Sequence, residues 1–120
     1  MGARTPEDCD RLFAEHVNAG NLDGVVDLYE PRASLVQQDG SSAVGQSAIR
    51  EALSGMLSAG AKLRMNVTRT VRAGDDLVVL YNDWTMTAGG NQMQGKALEI
   101  VRRQPDGTWL FAIDDPFARG

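Results

Sequence analysis

The stretch Leu77-Val78-Val79-Leu80-Tyr81-Asn82-Asp83-Trp84-Thr85-Met86-Thr87 decides the fold. It is rich in β-branched and aromatic residues and holds no Gly or Pro, which is the composition of a long strand. Turn signals close it on both sides: Ala73-Gly74-Asp75-Asp76 before it and Ala88-Gly89-Gly90-Asn91 after it. Working outward, Lys62 to Arg72 alternates Leu63, Met65 and Val67 with polar or charged residues and reads as the preceding strand. Met93 to Arg103 is the following strand. Pro105-Asp106-Gly107 is a further turn, and Thr108 to Asp114 is the last strand. Strands joined by such short turns form an antiparallel meander.

Upstream, the periodicity is helical. Thr5-Pro6-Glu7-Asp8 reads as a helix start, with Thr5 as cap and Pro6 in the first turn. Cys9, Leu12, Phe13 and Val17 form its apolar stripe. Asn18-Ala19-Gly20-Asn21 ends that helix and caps a second, which carries Leu22, Val25, Val26 and Tyr29 and ends before Pro31. Ala33 to Gln37 reads as a strand, Asp39-Gly40-Ser41-Ser42 as a turn, and Ala43-Val44 as a short return strand. Gly45 opens a third helix with Ile49, Leu53, Met56 and Leu57 at helical spacing, stopped by Gly60. Helices first and strands later predict an α+β domain spanning residues 1–120, with about three N-terminal helices packed on one face of one sheet.

Composition removes several function classes. The chain has 120 residues, with 12 Lys plus Arg against 16 Asp plus Glu, for a net charge of −4. An acidic balance argues against a nucleic-acid partner, which requires a basic face. One Cys and one His are too few for the usual zinc site, so no metal is expected. Gly89-Gly90 sits at a hairpin tip rather than before a helix, so no dinucleotide fingerprint is present and no cofactor is implied. The longest apolar run, Leu77 to Tyr81, is far too short to span a bilayer, and Met1 to Asp10 lacks the apolar core of a signal peptide. The expectation is a cytoplasmic protein with no membrane association. Cys9 lies among Glu7, Asp8 and Asp10, whose charge disfavours a thiolate, and reads as a helix-packing residue. His16 reads as a partly exposed residue near the helix C-terminus.

Two segments carry a resemblance to a known superfamily. Asn18-Ala19-Gly20-Asn21-Leu22-Asp23-Gly24-Val25-Val26-Asp27-Leu28-Tyr29 resembles the corner between the first helices of nuclear-transport-factor-2-like proteins. Gly45-Gln46-Ser47-Ala48-Ile49-Arg50 resembles the start of their third helix. The nearest groups are ketosteroid-isomerase-like and SnoaL-like small domains, and the likeness extends over nearly the whole chain. It implies a cone-shaped, cystatin-like α+β roll. A curved antiparallel sheet would wrap the helices around a deep apolar pocket, and the outer sheet face would pair two copies as a homodimer. It also implies a range of activities, among them isomerases, cyclases, dehydratases and hydrolases, as well as proteins without chemistry, because one fold hosts many functions.

Residue by residue, the resemblance is partial. The tyrosine of the steroid isomerases falls on Phe13, their aspartate base on Gln37, and their strand acid on Glu99. Two of the three roles are therefore empty. Glu99 turned into the pocket would lose solvent and become a neutral acid. Turned outward, it would pair with Lys96 or Arg102 on neighbouring ladders. Asp114, placed on one face with Ala112, is the second inward acid, and otherwise a strand-end acid before Pro116. Tyr81, Asp83 and Thr85 share one face of their strand, and Leu80, Trp84 and Met86 share the other. Periodicity favours Trp84 and Met86 in the core. The resemblance favours Tyr81, Asp83 and Thr85 in the pocket and Trp84 at an interface. The expected catalytic groups are thus Glu99, Asp114 and Asp83. The expected ligand contacts are Phe13, Val17, Gln37, Met56, Tyr81, Thr85 and Ala112. Two functions follow. One is cofactor-independent acid–base chemistry on a small apolar molecule. The other is non-catalytic binding of such a molecule, or dimerisation alone.

Overall fold

The computed structural model describes residues 2–118; Met1 and residues 119 and 120, which fall within the expected domain span, lie outside them. Its elements run α1 (Pro6–Asn18), α2 (Leu22–Val26), β1 (Tyr29–Val36), β2 (Ser42–Val44), α3 (Gln46–Ser58), β3 (Lys62–Ala73), β4 (Leu77–Ala88), β5 (Asn91–Arg103) and β6 (Trp109–Asp115). The six strands form one curved sheet in the order β2-β1-β6-β5-β4-β3. Strands β3 to β6 are the expected meander, each antiparallel to the next.

Helix α1 begins as its sequence predicts. The Asp8 N–H donates to Thr5 Oγ1 at 3.2 Å, and Asp8 Oδ2 accepts from the Thr5 N–H at 3.2 Å, closing a capping box. Its end is tied to the sheet by Asn18, whose amide donates to the Leu63 carbonyl at 3.0 Å and accepts from the Leu63 N–H at 2.6 Å. Position 18 thereby fixes the start of β3 against the helix. The face of α1 that meets the sheet carries Pro6, Cys9, Asp10, Phe13 and Val17, all buried. The other side of the helix holds the exposed Arg11–Glu15 pair.

Two local expectations are corrected. Helix α2 is five residues long and stops at Val26, and Tyr29 belongs to β1 rather than to the helix. The Phe111 N–H donates to the Leu28 carbonyl at 2.8 Å, and Tyr29 pairs with Phe111. This long-range ladder captures the segment that local periodicity assigned to a helix. Pro31 is tolerated because the ladder to β6 lapses between Tyr29 and Ser34, so no N–H is required there. The sheet is also not wholly antiparallel: β1 runs parallel to β6.

The core lies between the concave face of the sheet and the helices. Phe13, Tyr29 and Phe111 stack at its centre, with ring centroids 5.2 to 6.3 Å apart. Ile49 of α3, Val25 of α2, and Val78, Leu80 and Val101 of the sheet complete it. Aromatic contacts of this kind hold rings in fixed orientations as well as burying area. Here they fix the direction of the Tyr29 hydroxyl.

Candidate functional site

A cavity of about 210 Å³ opens between α3, the ends of β1 and the concave face of β3 to β6. Its walls are apolar. Leu53 and Met56 come from α3, Leu63 and Met65 from β3, Trp84 and Met86 from β4, and Met93 and Ala97 from β5. All four methionines of the described residues line it: Met56, Met65, Met86 and Met93. Met side chains are flexible and polarizable, so such a wall adapts to the outline of a ligand. In that wall, the Trp84 indole N–H donates to the Pro116 carbonyl at 2.7 Å, and the ring meets Phe117 edge-on at 5.9 Å. No Lys, Arg or His lines the cavity among the described residues.

At its inner end the cavity turns polar. Glu99 of β5 and Asp114 of β6 are register partners, and both line it. Glu99 is 2% exposed and Asp114 5%. Each sits there because β5 and β6 turn their alternate residues inward, with Ala97, Glu99 and Val101 on the concave face of β5. The Tyr29 hydroxyl donates to Asp114 Oδ2 at 2.6 Å. Behind Glu99 lies a second pair of buried polar residues. Asn82 Nδ2 of β4 donates to Glu99 Oε2 at 2.8 Å and to Asp10 Oδ2 of α1 at 3.1 Å. Asp10 Oδ1, Asn82 Oδ1 and Glu99 Oε1 are buried and have no other hydrogen-bond partner in this arrangement.

Burial governs the electrostatics. It raises the Glu99 carboxyl well above the usual range, and the adjoining Asp10 charge pushes it further in the same direction. Burial also raises Asp10. The Asp114 carboxyl is pushed up to about 7 by burial, against the lowering effect of the hydrogen bond from Tyr29. The Tyr29 hydroxyl is raised well above its ordinary value by burial and by the Asp114 charge, so it stays a donor. The site can therefore present an acid that keeps its proton beside a carboxyl that exchanges one near neutrality.

The sequence expectations divide. Glu99 and Asp114 meet in the cavity as expected. Phe13, Gln37 and Met56 also line it. Asp83 does not reach it: it lies on the outer sheet face with its side chain 52% exposed, 3.1 Å from Lys96 Nζ. Tyr81 shares that outer face, under the Arg69 guanidinium at 5.7 Å. Thr85 borders a polar surface notch with Asn18, Lys62, Arg64, Thr87 and Gln92. The inward face of β4 is Leu80, Asn82, Trp84 and Met86, the choice that periodicity favoured. Val17 packs into the core rather than the cavity. Ala112 is displaced by a bulge: Ile100 pairs with Ile113 but Val101 pairs with Phe111, leaving Ala112 the unpaired extra residue. That bulge lets Phe111 and Asp114 both point inward although three positions apart.

Asp10, Asn82, Tyr29 and Trp84 were not among the expected site residues. Asp10 had a local signal, because it falls on the buried stripe of α1 one position after Cys9 and three before Phe13. Asn82 had one too, lying on the strand face of Leu80 and Trp84.

The fold is shared with solved structures of low identity. An NTF-2-like protein of unknown function from Shewanella oneidensis aligns with a TM-score of 0.80 at 16% identity, over 92% of this chain and 98% of that one. A ketosteroid isomerase-like protein from Erwinia carotovora atroseptica aligns at 0.74 and 16% identity, over 91% and 89%. A domain of unknown function with a cystatin-like fold from Nostoc punctiforme aligns at 0.80 and 13% identity, over 94% and 74%. No curated protein sequence matches the chain. A family model described as the SnoaL-like domain matches residues 10–112, a span that includes Asp10, Asn82 and Glu99 and ends two residues before Asp114. The chain belongs to the SnoaL-like domain family.

Proposed function

We propose that the cavity binds a small, neutral, apolar molecule and acts on it by acid–base chemistry without a cofactor, as an isomerase, cyclase, dehydratase or hydrolase. The observation that carries this is the pair Glu99 and Asp114: two buried carboxyls side by side at the inner end of an apolar cavity, each held above the ordinary carboxylate range and each with different hydrogen-bond partners. Titratable groups whose environments separate their proton affinities divide naturally into acid and base. Glu99 supplies the acid and Asp114 the base, with Gln37 orienting a polar atom of the ligand near the mouth. A neutral ligand is favoured because the lining offers no cation to balance an anionic group. The test is a panel of apolar ring and carbonyl compounds, with binding followed by thermal shift and conversion by mass spectrometry. Conversion by the wild type and its loss in both Glu99→Gln and Asp114→Asn supports the reading. Binding without conversion by any compound overturns the catalytic part.

The second reading, binding without chemistry, draws on Phe13 and Gln37. Both line the cavity, and neither side chain exchanges a proton at neutral pH. A second copy of the chain is proposed as the partner of the outer sheet face. There Val71, Val79, Ile100 and Ile113 stand in one row across four strands, with Val71 and Ile113 each 40% exposed. Sedimentation of the protein at increasing concentration tests this, and a monomer throughout overturns it. No helix of the described residues is long and apolar enough to cross a membrane. The free, buried thiol of Cys9 is compatible with the reducing cytoplasm, the compartment we assign.

A further inference from the structure

Asp10 and Asn82 are buried polar residues that the acid–base reading leaves unused. Neither lines the cavity, yet both touch Glu99, which does. Asn82 is the clamp. Its single amide nitrogen donates to one oxygen of each carboxyl, 2.8 Å to Glu99 and 3.1 Å to Asp10, and so holds the two acids against one another. The remaining oxygens, Asp10 Oδ1 and Glu99 Oε1, are buried without a donor.

Two ionised carboxylates in this position face a double penalty. Each loses its water, and each repels the other. No basic side chain offsets either. The titratable groups facing the pair are Cys9 and Glu7 from α1, Tyr29 from β1 and Asp114 from β6, and none of them is a cation. One proton placed between the acids removes one charge and lets the two carboxyls hydrogen-bond to each other. Two protons would leave the pair neutral but would forfeit the charge that Asn82 Nδ2 is placed to stabilise.

We propose that Asp10 is a positioning residue: clamped by Asn82, it shares a single proton with Glu99, so that the pair enters the neutral pH range as one acid and one anion. The pair then serves the cavity as a fixed proton source, and Asp114 is the carboxyl whose charge varies. This deepens the acid–base reading, on which its catalytic meaning rests. The proton itself is a property of the unliganded protein and can be measured without any ligand.

The experiment is carbon-13 NMR of the protein labelled at the Asp and Glu carboxyls, followed through a pH titration. In the wild type, one carboxyl of the Asp10–Glu99 pair is expected to remain protonated at neutral pH, while Asp114 titrates separately. In Glu99→Gln the amide takes the place of the neutral acid, so the retained proton disappears and Asp10 stays ionised. In Asp10→Asn the Glu99 titration moves to lower pH, and that of Asp114 follows, because the Asp10 charge that raised both is gone. Finding both acids ionised in the wild type at neutral pH overturns the proposal. So does an Asp10→Asn variant that loses stability but leaves both titrations unmoved, since a packing role alone predicts that result. If one variant fails to fold, the wild-type titration and the other variant still decide. A shared proton found with no ligand bound, in a protein that converts none of the panel, would leave this inference standing and the catalytic reading refuted.

Discussion

The Tyr29 hydroxyl meets Asp114 Oδ2 at 2.6 Å, so the first strand of the sheet supplies the donor for a carboxyl on the last. This bond favours the charged form of Asp114 and keeps its proton affinity from rising further. Replacing Tyr29 with Phe removes the donor and leaves the ring packing in place. The Asp114 titration is then expected to move above its value of about 7. Loss of a buried hydrogen bond to a charged group costs about 1.5 to 3 kcal/mol, and the loss should be smaller in acid, where Asp114 is neutral in both proteins. Denaturant unfolding of the variant on both sides of neutrality checks the magnitude and its pH dependence.

Stability should fall as pH rises toward neutrality. Burial raises Asp114 from 3.8 to about 7, and moves Asp10 and Glu99 in the same direction. Acids raised in this way bind protons more tightly in the folded protein than in the unfolded chain. Their stabilising contribution is full below the unfolded value and is lost as pH rises through the folded one. For Asp114 alone the window runs from about pH 4 to about pH 7 and spans roughly 4 kcal/mol. The exposed acids Asp39 and Asp106 shift down, through hydrogen bonds from Ser41 and Thr108, and matter only in stronger acid. Thermal unfolding should therefore give a higher midpoint at about pH 5 than at about pH 8. A flat profile, or one rising with pH, contradicts the burial of three protonatable carboxyls.

Gly95 makes room for Trp84. A methyl group at position 95 would lie 2.6 Å from Trp84 Cζ2, in a pair directly opposed across β4 and β5. Gly95→Ala is expected to push the indole out of the cavity wall and to break its bond to the Pro116 carbonyl. Overpacking of this kind costs about 1 to 3 kcal/mol. Tryptophan emission, measured in a Trp109→Phe background so that Trp84 reports alone, should shift toward that of a more exposed indole.

Asp83→Asn serves as the contrasting case. Its partner Lys96 is exposed, and such a pair contributes at most about 1 kcal/mol. Ligand binding, conversion and the carboxyl titrations should all match the wild type. A loss of binding would return Asp83 to the site.

The contrast between Asp83 and Asn82 shows where sequence reading reaches its limit. The meander was legible because its turns carry local signals, Gly74, Gly89-Gly90 and Pro105-Asp106-Gly107, that act on the backbone directly. The inward face of β4 was harder. Asn82 and Asp83 are adjacent, both faces of the strand carry large apolar residues, and the outer row of Val79 and Tyr81 is nearly as apolar as the inner one. Only the helices, packed on one side, break that near-symmetry. Glu99 was recognised because an acid among Ala97, Leu98, Ile100 and Val101 is conspicuous. Asp10 was hidden among Glu7 and Asp8, which do face solvent or cap the helix. Tyr29 was misassigned because the force that places it comes from Phe111, far along the chain, and Ala112 because a bulge shifts alternation by one residue.

Strand β6 comes last in sequence among the described elements, yet it stands between β1 and β5, and the residues paired there, Tyr29 and Asp114, are 85 positions apart. Without it the sheet is two separate pieces, β2-β1 on one side and β5-β4-β3 on the other. In the unfolded chain Glu99 and Asp114 are both in water, and hydrated carboxyls of this kind are ionised at neutral pH. Closure of the sheet dries them together and draws protons in from the solvent. For this protein folding is also proton uptake, and the strand that joins the two pieces of the sheet carries one of the acids that takes a proton up.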